Sequence, residues 1–337
     1  LGFSTVPSIV NAQTSNKKKF IQIFLDGGWD SLMATDPVMS GSGKDGSSYI
    51  DSAYKNGTYY GTQVSGKSNL FHSYGLTTAA PAFQNFNTAF INGMYVEVTA
   101  HELAQMYLLS GKMTLSRSRE FASFIAKMGE SSGNSTPHVV LGTPIPLAET
   151  AQSAPPLFSN NARDLTSMVS GPSSDWISAG SIERANQLVS SLNAIREQSL
   201  ANSIKNSETD WKASESALQA LYSSQTDYAS LLKLNATEAA AYGTSVSGDS
   251  INEYYGVAPL VNLSKRVLES GISPYVTVRV GGYDTHQNHF GSHDVEMRKF
   301  GTALNQLMID LAATDDPTDA GKKLIDNTTV LVYSEFN

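Results

Sequence analysis

The sequence predicts an α/β fold built on a mainly parallel central sheet, with helices on both faces and a helical insertion. Two observations carry this. Short apolar runs of strand character alternate along the chain with stretches of helical spacing. Polar residues suited to chemistry fall at the carboxyl ends of those runs, which is where ligands sit in sheets of this kind. No internal repeat or sustained heptad competes with this reading.

Residues 20–25 (FIQIFL) form the first predicted strand, stopped by the tight loop DGGWD at 26–30. Residues 40–68 are dense in Gly, Ser, Tyr and Asn and read as an excursion over the surface. Apolar spacing resumes over 75–90, and 93–98 reads as a second strand. Residues 101–109 have helical spacing through Leu103, Met106, Tyr107 and Leu109, closed by Gly111. A third strand covers 138–142, and the Pro- and Ser-rich stretch 144–174 reads as loop. Amphipathic spacing through Ile182, Ala185, Leu188, Val189, Leu192 and Ile195 predicts a helix, with a second one over 211–234. Together these define a helical insertion at about 150–256. Residues 257–270 and 295–313 are predicted helices, and 274–280 and 328–333 strands. The main domain therefore spans 20–337.

Composition narrows the function. The 337 residues include 31 acidic and 23 basic side chains, a formal charge of −8. That balance disfavours nucleic acid as a partner. There is no cysteine, which removes disulfides, thiolate metal sites and cysteine nucleophiles together. Any metal must use Asp, Glu, His or neutral oxygen ligands. Residues 1–19 read as the remnant of a signal peptide and a linker, because an apolar stretch with small residues at Ser8 and Ala12 gives way to polar residues. No run of 18 apolar residues follows, so no transmembrane segment is expected.

The candidates for chemistry gather at the predicted strand ends. Asp284 and His286 stand two residues apart after two glycines, and His289 and His293 bring three of the six histidines within eight residues. Oxygen and nitrogen donors of this kind suit zinc, manganese or iron, with zinc the expected ion, and a set richer in carboxylate and carbonyl would suit magnesium or calcium. Solvated loop histidines are the plain alternative. Asp26 is either a turn-former or a ligand at the sheet edge, and Asp30 either a ligand or a cap for the segment from Ser31. Glu335 closes an apolar strand and, if ionised there, needs a partner. Thr99 and His101 lie at a strand-to-helix junction. Thr99 serves there as a helix cap, or as a hydroxyl that attacks phosphorus or sulfur beside a cation. Tyr49, Tyr54, Tyr59 and Tyr60 suit stacking on sugars, or are bare surface.

The segments FLDGGWDSL, SYGLTTAAPAF, TAHELAQMYLLSGK, APLVNLSKRVLESGISPYVTVRVGGYDTHQNH and LVYSEF, in that order, resemble family 1501 of the domains of unknown function. These are exported bacterial proteins, often with twin-arginine leaders, placed in the alkaline phosphatase and sulfatase superfamily. The resemblance implies an alkaline-phosphatase-like sandwich, with Asp26, Asp284, His286 and Glu335 at a metal site; Asp30, His289 and His293 stand as additional candidates from the residues themselves. It departs from the family's pattern at Ala100, where a serine is usual, so that a nucleophile either shifts to Thr99 or is lost. The family also continues past SEF to an Asp–His pair that resembles a second metal site; here that pair either lies beyond residue 337 or is missing. A one-metal site would bind oxyanions better than it hydrolyses esters.

The expected function is thus a metal-dependent hydrolase of phosphate or sulfate esters, carbohydrate-linked ones included, acting in the periplasm, at the cell surface or in the medium. Thr99 and His101 are its expected catalytic residues. The alternative is a metal-containing binding or surface-assembly protein that keeps the fold without turnover.

Overall fold

The computed structural model describes residues 18–55, 57–92, 98, 100–111, 118–119, 121, 125–126, 136, 138–143, 148–149, 156–169 and 228–335. Thr99, the signal-like residues 1–17, most of the strand expected at 93–98, the helix expected at 182–195 and most of that at 211–234 lie outside the described residues.

Five parallel strands form the central sheet: β1 (Lys19–Leu25), β2 (Val139–Gly142), β3 (Leu157–Ser159), β4 (Tyr275–Val280) and β5 (Thr328–Tyr333), in the order β5-β1-β4-β2-β3. Phe20 pairs with Tyr275 and Leu25 with Val280, while Lys19 pairs with Thr328 on the other side. Every residue of β1, β2 and β4 is buried. This is the state expected of inner parallel strands, and it explains why they read as short apolar runs and not as alternating ones. Ile21, Ile23 and Leu25 share one core with Val276, Val278, Val280, Val139 and Leu141. The helix α3 (Val257–Ser270) covers this core with Leu260, Val261, Leu263, Val267 and Leu268, which recur at helical spacing. Its end is Gly271, in the left-handed conformation that closes helices.

Two parts of the sequence expectation change. The stretch 144–174, expected as loop, contains β3 and the helix α2 (Ala162–Val169). Three residues are too few to show a period, so β3 is specified by its pairing with β2. Asn161, whose side chain accepts from the amides of Arg163 and Asp164, starts α2 and is the local signal for it. The last long helix, α4 (His289–Ala313), begins six residues before the expected start. Gly291 and Ser292 interrupt the apolar pattern, yet His293, Met297, Phe300, Leu304, Leu307 and Leu311 form one buried stripe at steps of three and four. His293 fills an apolar slot, which is why hydropathy alone starts the helix late.

The surface excursion at 40–68 is partly framework. Tyr59 stacks on Phe290 at 5.4 Å and Tyr54 lies 5.0 Å from the same ring. Tyr49 remains 99% exposed. No helix among the described residues is long and apolar enough to cross a membrane.

One buried group sets an acid limit on stability. His138, just before β2, is fully buried, with Nε2 2.9 Å from Thr277 Oγ1. Burial pushes its pKa down to about 4. The unfolded ring titrates near 6.5, so below that pH the unfolded chain takes up a proton that the folded chain refuses. Stability is full above about pH 6.5 and is lost as pH falls toward 4, at up to about 1.4 kcal/mol per unit. Urea unfolding at pH 7 and pH 5 should show this loss, and His138→Asn should reduce the difference; an unchanged difference would remove His138 as its source.

Candidate functional site

The site forms where β1, β4 and β5 end together. The Asp26 amide donates to the Val280 carbonyl at 2.8 Å, and the Tyr283 amide to the Asp26 carbonyl at 3.3 Å, so the loops after β1 and β4 lie against each other. Gly27 makes this approach possible. Its φ is +119°, and a Cβ there would stand 2.2 Å from the Asp284 backbone nitrogen. The DGG sequence after β1 is therefore needed to seat the GGYDTH loop.

Behind the surface lies a closed polar network. Glu335, fully buried after β5, accepts from the Gly27 amide at 2.7 Å, from His101 Nδ1 at 2.9 Å and from Gln105 Nε2 at 3.2 Å. His101 and Gln105 stand one turn apart on the helix α1 (His101–Ser110), so both reach the same carboxylate. Gln105 also donates to Asp26 Oδ1 at 2.5 Å and accepts from Arg279 Nη2 at 2.6 Å. Arg279 Nη2 in turn pairs with Asp26 Oδ2 at 2.8 Å.

The two carboxyl groups titrate in opposite directions. Asp26 is raised above the ordinary carboxylate range by burial, against the pull of Arg279 and with a further push from the charge on Glu335. Burial also works against ionised Glu335. There it is outweighed by hydrogen bonds, from His101 first and then from the Glu335 amide, Gln105 and the Gly27 amide, so its pKa is lowered. Of the two, Glu335 holds the negative charge more firmly.

The outer layer is a possible ligand set. Asp284 Oδ1 lies 2.7 Å from His286 Nε2, and Oδ2 lies 3.6 Å from His101 Nε2. Single donor atoms from His101, Asp284 and His286 all fall within 4.8 Å of one another, and this is the candidate metal group among the described residues. Because His101 Nδ1 faces the Glu335 carboxylate it carries the proton there, which leaves the lone pair of neutral His101 on Nε2, toward Asp284. A carboxylate behind a histidine that turns its other nitrogen outward is the usual support for a metal ligand.

Asp284, His286 and His101 are thus brought together, with Glu335 in contact with His101. Asp26 stands in the inner network, both its oxygens engaged by Gln105 and Arg279. Asp30, His289 and His293 form a separate cluster. Asp30 caps the turn Ser31–Met33 through the Leu32 and Met33 amides, its Oδ2 accepts from His289 Nε2 at 2.8 Å, and its amide donates to His293 Nε2 at 2.9 Å. The N-cap position of α1 is Ala100, with no side-chain cap.

Gln105 and Arg279 escaped the sequence reading. A lone arginine in the strand YVTVRV was a usable signal, because a buried guanidinium demands a carboxylate. Gln105 could be found only through its place one turn after His101.

No curated protein and no solved structure gives a significant match to this chain. The family described as "Protein of unknown function (DUF1501)" matches residues 17–337, and the chain belongs to that family.

Proposed function

We propose that this protein is a metal-dependent hydrolase of phosphate or sulfate esters that acts outside the cytoplasm. The observation that carries the reading is the exposed group His101, Asp284 and His286, with His101 oriented from behind by buried Glu335. Two imidazoles and one carboxylate fit zinc first, with manganese next and calcium or magnesium less suited. Such an ion supplies Lewis-acid polarisation of the ester's phosphoryl or sulfuryl oxygen. The chain's own part is to hold geometry. Glu335 fixes the His101 tautomer, while Asp26, Arg279 and Gln105 lock the helix α1 to the strand ends. By its sequence position just before the start of α1, Thr99 is the attacking hydroxyl of this proposal. A carbohydrate-linked ester is supported by exposed Tyr49 and by half-buried Tyr60, since Tyr54 and Tyr59 are engaged in packing against Phe290. Action outside the cytoplasm is supported by the signal-like composition of residues 1–13.

The test is elemental analysis of protein purified without added metal, with hydrolysis of aryl phosphate, phosphodiester and aryl sulfate measured before and after chelation. Bound divalent metal with chelator-sensitive turnover is expected, and the preferred substrate names the ester class. Metal without turnover would point to a binding or surface-assembly protein instead. No metal even after reconstitution would remove the proposed centre.

A further inference from the structure

The second polar cluster contains a run of hydrogen bonds whose direction is set at one end by a backbone amide. The Asp30 N–H can only donate, and it points at His293 Nε2, so that nitrogen carries the lone pair. His293 is fully buried, and with its Nε2 lone pair taken by that N–H its ring proton sits on Nδ1. This Nδ1–H lies 3.2 Å from Thr285 Oγ1, with the Tyr283 backbone carbonyl as a second acceptor. At the other end, Asp30 Oδ2 accepts from His289 Nε2 at 2.8 Å and from the Tyr54 hydroxyl. The lone pair of neutral His289 is therefore on Nδ1, which lies 2.7 Å from Thr285 Oγ1. With His289 in that form, the Thr285 hydroxyl donates to His289 Nδ1 and can accept from His293.

We propose that Thr285, His289 and Asp30 form a nucleophile, base and carboxylate relay that hydrolyses carboxyl esters of small alcohols and phenols. A hydroxyl that donates to an imidazole, itself held by a carboxylate, is the recurring arrangement for acyl transfer, recognised by geometry and not by position in the chain. Thr285 is half-buried and the His289 side chain is 33% exposed, so the pair lies at the surface and not in the core. Asp30 is 13% exposed and His293 has no exposure, which keeps the supporting residues out of bulk water. The Phe290 ring, 5.8 Å from the His289 ring, offers an apolar wall for a small acyl or aryl group. Asn288, just before the helix α4, has a φ of 51°, unusual for a non-glycine residue and of the kind that collects at functional sites.

The chemistry balances without a metal. Thr285 Oγ1 attacks the ester carbonyl carbon as its proton passes to His289 Nδ1. The carbon–oxygen bond to the alcohol breaks, and the departing alcohol takes that proton. Water then attacks the acyl-threonine, giving one proton to His289 Nδ1. The carboxylic acid leaves, and the proton returns to Thr285 Oγ1. The net reaction is ester plus water to acid plus alcohol. Asp30 and His293 act as positioning residues, through His289 and the hydroxyl.

The relay itself uses no metal, but Thr285 stands between the proposed ligands Asp284 and His286, so chelation is what separates the two readings. The experiment is hydrolysis of 4-nitrophenyl acetate by the full chain in excess chelator, with mass-spectrometric location of a fluorophosphonate label. Chelator-insensitive turnover and a label on Thr285 are expected. Thr285→Val and His289→Gln should each lower turnover at least about 100-fold, the low end for losing a positioned acid–base or nucleophilic group, while circular dichroism and the melting temperature confirm folding. Thr285→Ser should retain turnover, which a packing role for the hydroxyl does not require. No label at Thr285 in folded wild-type protein, or turnover that survives Thr285→Val, would overturn the relay. Chelator-sensitive phosphate or sulfate ester cleavage would be untouched by that result, and its loss would leave the relay standing.

Discussion

Glu335→Ala is expected to be among the most destabilising single substitutions in the described part of this protein. The side chain has no exposure, and it receives the Gly27 amide, His101 Nδ1 and Gln105 Nε2 on one oxygen. Truncation leaves these donors without their acceptor at the ends of β1 and β5. Each buried donor left unsatisfied costs about 1–3 kcal/mol, so a total of about 3 kcal/mol or more is expected. Denaturant unfolding measures it, and a loss below about 1 kcal/mol would mean that Glu335 does not organise the site. Glu335→Gln keeps one acceptor oxygen but turns an –NH₂ toward existing donors, and it should fall between wild type and alanine. Where the glutamine variant folds, metal affinity should drop by about 10–100-fold, the usual cost of losing the group that orients a ligand.

Asp284→Ala should show the opposite balance. The Asp284 side chain is 46% exposed, and it bridges His101 and His286 at the outer layer and not in the core. Removing a ligand from a three-residue group should lower metal affinity by more than the roughly 100-fold expected for a supporting group, and chelator-sensitive ester hydrolysis should fall with it. Unfolding of the metal-free protein should shift by no more than about 0.5 kcal/mol, as for a surface substitution. In metal-loaded protein the melting temperature should fall, because an ion bound to the native state alone adds stability by mass action. Calorimetric titration with zinc and thermal unfolding with and without the ion check both halves. Unchanged zinc affinity would exclude Asp284 as a ligand.

These two variants separate an inner layer that holds the fold from an outer layer proposed to hold the metal. Both layers come from the same three strand ends. Arg279 shows the division best. It sits in β4 with 3% of its side chain exposed and neutralises Asp26, whose carboxyl would otherwise be buried uncompensated. Asp26 therefore serves in this structure as a structural partner as well as a residue of the strand-end motif.

Much of the fold was legible from local pattern. The inner strands β1, β2 and β4 are short apolar runs in sequence because parallel strands are buried on both faces, the edge strand β5 is half-buried and mixes Thr with Val and Leu, and α3 runs over the residues its spacing predicts. The site residues were legible as types at strand ends, since a parallel sheet collects its loops there. Asp284, His286 and His101 do meet, although about 180 residues of chain separate the last from the others, as the numbering shows. What escaped had no local signal. The strand β3 is three residues long, and α4 begins on residues that look polar in one dimension.

The sequence by itself determined the parallel α/β plan, the net negative charge, the absence of thiol chemistry and the motifs that mark the family. Those follow from composition and short-range periodicity, which are properties of the chain alone. Only the tertiary structure decided which polar residues share a site. It set Asp26 with Arg279 and Gln105, His101 between Glu335 and Asp284, and Asp30 with His289, His293 and Thr285. Hydrogen bonds and ion pairs act over about 3 Å and demand fixed direction. Spacing along the chain carries no information about either until the strands are aligned and the loops after them are brought into contact.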